Sequence, residues 1–179
     1  MINIKKSLMF GISAMLLAGC ATAVTRTKIG QHAYVKVNEL NTSYLSRIDT
    51  GARITSLHAL NIKLLDNNGN VINVTEDTNS EIKNKSYKDN IGKLISFDTI
   101  NEKGEKTHYK TKVKDVALVK NAQGREYRYV IDLTLTFKGN SKHVNVNLRD
   151  RSKMEYKLLI GRNWLHNDFY VVTDLKDAK

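Results

Sequence analysis

The stretch YLSRIDTGARITSLHAL, Tyr44 to Leu60, sets an acid between two apolar runs. Leu45 and Ile48 read as a strand before Asp49, and Ile54, Leu57 and Leu60 resume the apolar pattern after it. Thr50-Gly51-Ala52 supplies a tight turn of small residues, in which Gly51 lets backbone amides approach the carboxylate and the Thr50 hydroxyl can brace the loop. A carboxylate so close to a core is costly unless something compensates it. One solution is a second, identical loop face to face with the first. Two aspartates then share a proton, one acting as base and the other as acid toward a water held between them. Such a pair titrates as a unit.

Outward from this loop the chain is punctuated like a β protein. AYVKV alternates, and NIKLL and NVINV flank the turn Asp66–Gly69. KLISFDTI and HYKTKVKDVALV flank Asn101–Gly104, while YRYVIDLTLTF and HVNVNL flank Lys138-Gly139-Asn140. Turn residues between β-branched, alternating runs predict hairpins. YKLLIGRNWL, Tyr156 to Leu165, reads as an apolar strand ending at Ile160-Gly161 and turning into a short helix at Arg162-Asn163. The expectation is a small all-β domain, a closed or partly open barrel, with one short C-terminal helix. Residues 76–90 are polar and read as an excursion or loop.

The 179 residues suffice for one domain with a sizeable core, placed at residues 31–175. Hydrophobic residues at 41% and charged residues at 26% exclude a disordered chain. Residues 1–19 carry Lys5 and Lys6, an apolar run from Leu8 to Ala18 too short to span a bilayer, and a small-residue end. Leu17-Ala18-Gly19-Cys20 resembles the bacterial lipoprotein signal, which implies lipidation of Cys20, and Ala21 resembles its outer-membrane sorting version. Cys20 is the sole cysteine, so no disulfide or thiol nucleophile is available. Residues 20–30 read as a tether, and the expected address is the cell envelope, facing the periplasm. Loss of residues 1–19 removes two lysines and no acid, lowering the net charge from +11 to +9. With no nucleic-acid motif, that charge suits anionic headgroups or wall polymers, or a merely solvated face.

Asp49-Thr-Gly-Ala, followed downstream by two aliphatics, Gly161, Arg162 and Asn163, resembles the retropepsin-like aspartic peptidases. A closer resemblance is to a bacterial branch labelled "ATP-dependent zinc protease" and assigned to that fold, carried by Ile48–Ala59 and Leu148–Arg162. It implies a retropepsin-type β-barrel, with Asp49 as the catalytic acid and Thr50, Gly51 and Ala52 as its loop. Ile160 and Gly161 would support that loop from below. No second Asp-Thr/Ser-Gly occurs, so an active dyad requires a homodimer cutting a peptide or protein substrate.

The label's ATP and zinc find no motif. There is no Gly-rich loop ending in Lys-Ser/Thr, and His32, His58, His108, His143 and His166 are scattered singly. No cofactor or metal is expected, although His58, close behind Asp49, is the histidine to watch. One departure stands out. The retroviral enzymes carry an aspartate after Asp-Thr-Gly-Ala that pairs with the arginine of Gly-Arg-Asn, whereas here the position is Arg53 and Arg162 is kept. Asp150 is the expected partner of Arg53 or Arg162, with Glu155 as a substitute acid, unless the basic run there is simply a solvated edge. Ile95–Tyr109, turning at Gly104, is the expected flap over the substrate. The altered pairing leaves a second reading open, a lipid-anchored module of the same fold that binds peptide or wall components without cutting.

Overall fold

The computed structural model describes residues 25–72, 86–121 and 124–175. The expected signal segment 1–19, Cys20 and residues 76–85 of the polar excursion lie outside these. Among the described residues, twelve strands carry the fold. They are β1 Thr27–Ile29, β2 His32–Val37, β3 Thr42–Ile48, β4 Thr55–His58, β5 Leu60–Leu65 and β6 Leu94–Ile100. β7 Lys106–Lys112, β8 Asp115–Asn121, β9 Gly124–Phe137, β10 Asn140–Arg149, β11 Leu158–Ile160 and β12 Phe169–Val171 follow. A one-turn helix, Arg162–Leu165, is where the Gly-Arg-Asn turn placed it.

Seven strands form the main sheet in the order β10-β4-β11-β3-β2-β9-β8, and β10 also pairs with β9, so the order bends back on itself. β9 makes this possible by its length of 14 residues. Its first half pairs with β8 and its second half with β10 and β2. The all-β, retropepsin-like reading therefore holds. Inward positions alternate as a half-buried sheet requires: Ala33, Val35 and Val37 on β2, and Ile131, Leu133 and Leu135 on β9, are all buried. Trp164 closes the bottom of this core, stacked on Phe169 at 4.1 Å with its indole N–H donating to the Leu135 carbonyl at 3.2 Å.

β5, β6 and β7 form a separate three-stranded sheet. The hairpin expected at Gly104 is present, with β6 and β7 paired from Leu94↔Lys112 to Ile100↔Lys106. Its turn end is fastened down: the Leu45 N–H donates to Glu102 Oε2 at 3.0 Å, and Tyr44 Oη and Thr99 Oγ1 lie 3.2 Å apart. The segment read as tether ends earlier than residue 30, because Thr27–Ile29 pairs in parallel with Phe169–Val171 and Ile29 is fully buried.

Candidate active site

Asp49 stands at the end of β3, where β11 runs beside it in parallel with Ile160 opposite Ile48. Its backbone N–H donates to the Ile160 carbonyl at 2.9 Å. Its side chain turns back onto the loop, so that Oδ1 accepts from Gly51 N at 2.8 Å and from Ala52 N at 3.1 Å. Oδ2 makes no hydrogen bond among the described residues. Asp49 is half-buried, and Thr50 and Gly51 are exposed. The desolvation anticipated from sequence is thus partial, and two amides offset it.

The strand ending in Ile160-Gly161 passes directly behind this loop. A Cβ on Gly161 would lie 2.7 Å from the Ile54 carbonyl carbon and 2.9 Å from Thr55 N, so no larger residue fits without moving backbone. Thr55 Oγ1 accepts from Gly161 N at 3.1 Å and donates to Asn163 Oδ1 at 3.0 Å, and that oxygen also takes Thr55 N–H at 3.0 Å. Arg162 closes the arrangement, donating from Nη1 to the carbonyls of Thr50 at 3.1 Å and Gly51 at 3.4 Å. The loop is held by main-chain carbonyls where the retroviral pattern uses a carboxylate.

The expected pairing of Asp150 with Arg53 or Arg162 is absent among the described residues. Asp150 Oδ1 accepts from Ser152 N at 2.8 Å and lies 3.9 Å from His58 Nδ1. The two bonds from Ser152, side chain and backbone, hold its carboxyl below the ordinary carboxylate value. Arg53 is exposed, and its carbonyl accepts from Asn163 N at 3.2 Å. Arg162 is exposed, and its Nη1 goes to the loop carbonyls rather than to an acid.

Above Asp49 opens a cleft of about 600 Å³ whose lining carries one acid, Asp49, and five cations: Arg53, Lys120, Arg128, Arg149 and Arg151. Two of these are unusual. Arg128 and Arg151 are each only 6% exposed. Arg128 is partly neutralised, donating from Nε and Nη2 to Glu126 Oε2 at 2.9 and 2.7 Å and from Nη1 to Asn147 Oδ1 at 3.1 Å. Arg151 donates from Nε to the Tyr156 carbonyl at 2.9 Å and has no carboxylate partner among the described residues. Burial, with Arg149 and Arg128 close by, pulls its guanidinium down to about 10, and the Asp49 charge opposes the shift. Arg151 stays charged at neutral pH.

The cleft's other wall is β8, which contributes Ala117, Leu118 and Val119. This corrects the expectation of a flap at Ile95–Tyr109. The β6–β7 hairpin borders a different cavity of about 420 Å³, and the hairpin beside Asp49 is β8–β9. Among the described residues no three His, Cys, Asp or Glu side chains cluster to hold a metal ion. His58, the histidine singled out for that role, is 1% exposed, and its Nδ1 accepts from Arg151 N at 2.9 Å.

A family model described as "RimB-like: Retropepsin-like aspartic endopeptidase RimB" matches residues 28–176. The chain belongs to this family. A "Probable alpha-L-glutamate ligase" of Shewanella pealeana is 28% identical over 126 residues, 68% of this chain and 23% of that protein, so the chain spans about a quarter of that relative. A crystal structure from Legionella pneumophila, of unknown function, superposes with a TM-score of 0.61 at 21% identity, over 86% of this chain and 98% of that one. That likeness concerns the fold.

Sequence reasoning located the loop of this RimB-like domain and missed the cleft. Arg149 and Arg151 stood in the very run read as a basic edge, and Asn163 followed the glycine-arginine pair. Arg128 and Asn147 gave no signal, because their approach to Asp49 depends on strand register.

Proposed function

We propose that this chain is an aspartic endopeptidase whose dyad is built from Asp49 of two copies and whose cleft selects acidic peptide segments. The observation that carries the reading is the state of Asp49. One carboxylate oxygen is anchored by two amides, and the other is open in a cleft of substrate size. Paired with its twin, such a group polarises a water for attack on a peptide carbonyl and returns a proton to the departing nitrogen. The exposed Thr50–Gly51 tip suits approach by a second loop about a two-fold axis.

Substrate charge follows from the lining. Glu126 pairs with Arg128 and lies 3.6 Å from Arg149. The remaining lining cations, Arg53, Lys120 and the buried Arg151, have no carboxylate partner among the described residues and favour a peptide carrying carboxylates. The Shewanella pealeana relative, named for ligating glutamate, points to the same side chain. The resemblance of residues 1–20 to a lipoprotein signal supports the reading of a lipid-anchored protein facing the periplasm.

The experiment is hydrolysis by the purified full chain of a fluorogenic peptide bearing Glu on both sides of the cut, beside its Gln counterpart. Cleavage of the Glu peptide, abolished by Asp49→Ala, untouched by chelators and accompanied by dimers in sedimentation, is the expected result. Cleavage by a strictly monomeric protein, or its loss to a chelator, would refute the reading. The altered Arg53 position keeps one other interpretation in play, a binding module on the same scaffold. Its signature is peptide binding by a monomer with no cutting.

A further inference from the structure

His58 is the one fully buried histidine of the described core, and nothing in the hydrolytic mechanism uses it. It sits on β4 in parallel register with Arg149, so its ring lies under the turn that follows β10. Nδ1 accepts the Arg151 amide proton at 2.9 Å, which places the ring's own proton on Nε2. That Nε2 is buried and has no hydrogen-bond partner among the described residues. Stranding an N–H is destabilising, and an apolar ring of similar shape would avoid it. What an apolar ring lacks is the acceptor at Nδ1.

The accepted proton belongs to a turn held from several sides. Lys157 Nζ donates to the carbonyls of Arg151, Ser152 and Met154 at 3.2, 3.0 and 2.9 Å, and Met154 N also donates to the Arg151 carbonyl at 2.9 Å. With Arg151 Nε tied to the Tyr156 carbonyl, the terminal guanidinium nitrogens are left for the cleft that Arg151 lines. His58 holds the backbone N–H of this residue, while Lys157 and Met154 hold its carbonyl.

We propose that His58 is a positioning residue for Arg151: its neutral ring fixes the Arg151 backbone so that the guanidinium meets an anionic substrate group beside Asp49, and protonation of the ring lets go. Arg151's role as a substrate contact rests on the peptidase reading above. The link from His58 to Arg151 does not. A second proton on the ring must land on Nδ1, where it displaces the Arg151 amide. The charged groups facing the ring are Asp150, with Oδ1 3.9 Å from Nδ1, and the cations Arg151 and Lys157. Burial first, then Lys157 and more weakly Arg151, lowers the ring's proton affinity below the ordinary histidine value, and Asp150 and the Arg149 backbone oppose them. The ring is therefore neutral at pH 7, and once protonated it turns from the amide toward Asp150.

The test uses the full chain in three forms: unaltered, His58→Asn, whose Oδ1 keeps an acceptor near the Nδ1 position without titrating, and His58→Phe, which keeps bulk alone. Binding of acetyl-Ala-Glu-Glu-Ala amide is followed by calorimetry against its Gln counterpart, and ring ¹⁵N signals report tautomer and protonation. An Nε2–H ring at pH 7 is expected. Affinity for the Glu peptide should fall at least ~10-fold in His58→Phe and stay within about twofold in His58→Asn, an acceptor at a charged site being worth roughly that much. Acidification should weaken the unaltered protein in step with ring protonation, and His58→Asn should lack that component. An Nδ1–H ring, absent Glu-peptide binding, or equal loss in both variants overturns the proposal. If His58→Phe fails to fold, the tautomer and the pH response of His58→Asn still decide. Binding that obeys this pattern without hydrolysis sinks only the peptidase reading, and hydrolysis indifferent to His58→Phe sinks only this one.

Discussion

Two hairpins of this molecule look alike in sequence and differ in use. β6–β7 turns through a glycine between alternating strands, as a flap should, yet its turn end is bonded to β3 and its outer face borders a cavity away from Asp49. β8–β9 stands over the cleft. The aspartates beside them differ in the same sense. Asp98 on β6 has both oxygens engaged, Oδ2 by Asn61 at 2.7 Å and Oδ1 by His108 Nδ1 at 2.7 Å. Asp49 has one oxygen engaged and one open. Availability for chemistry follows from the hydrogen bonds a site withholds, since Asp98, half-buried like Asp49, has both oxygens occupied.

The largest contrast should appear on exchanging the two acids. Asp49→Asn is expected to lower kcat/KM at least ~1,000-fold, within the range for general acid–base groups, with the fold intact by circular dichroism. Asp98→Asn should leave kcat/KM within twofold. Equal losses would mean that the two sites are not functionally distinct.

Glycines come next. Gly161→Ala drives a methyl into the backbone at Ile54 and should destabilise by about 3 kcal/mol in urea unfolding, near the top of the range for overpacking. Gly104→Ala, at φ +82° with open space around it, should cost only about 1 kcal/mol of backbone strain. The reverse order would place the tight crossing elsewhere.

Smaller still is the wall. Leu118, 41% exposed on β8, should contact substrate, and Leu118→Ser is expected to raise KM about fivefold, the worth of a partly buried leucine side chain. Ile100→Ser, on the other hairpin, should leave KM unchanged. If only Ile100→Ser acts, β6–β7 is the flap after all.

The smallest effect is a pH response confined to the β6–β7 side. The Asn61 and His108 bonds hold the Asp98 carboxyl below 3.8 in the folded chain. Because its folded value is depressed, the stabilisation is present above the unfolded value and lost as pH falls through the folded one. Asp98→Asn should flatten the thermal-stability profile in that acid window and nowhere else.

Much of this site was legible because it is local. Asp49, Gly51 and Ala52 fall within four consecutive residues, and a carboxylate oxygen reaches amides two and three residues ahead through the turn geometry alone. Gly161 announced itself because only a residue without Cβ passes so near Ile54. The partners of Asp150 and Arg162 were misjudged on charge, since the nearest opposite charge in sequence is not the nearest acceptor in space. Backbone carbonyls of Thr50 and Gly51, invisible to any charge count, satisfied Arg162 instead. The flap was misplaced because both hairpins satisfy the same turn chemistry.

By itself, the order of residues determined the strands, the aspartate turn and the short helix, because alternation, glycine freedom and turn propensity act over a few neighbouring positions. Tertiary structure alone decided which arginines face Asp49, which hairpin walls the cleft and what the buried histidine holds. Those outcomes depend on strand register: β10 against β4 sets Arg149 beside His58, and β9 against β10 sets Val130 beside Asn147, placing Arg128 nearby. A shift of one residue in either pairing would turn each of those side chains to the opposite face.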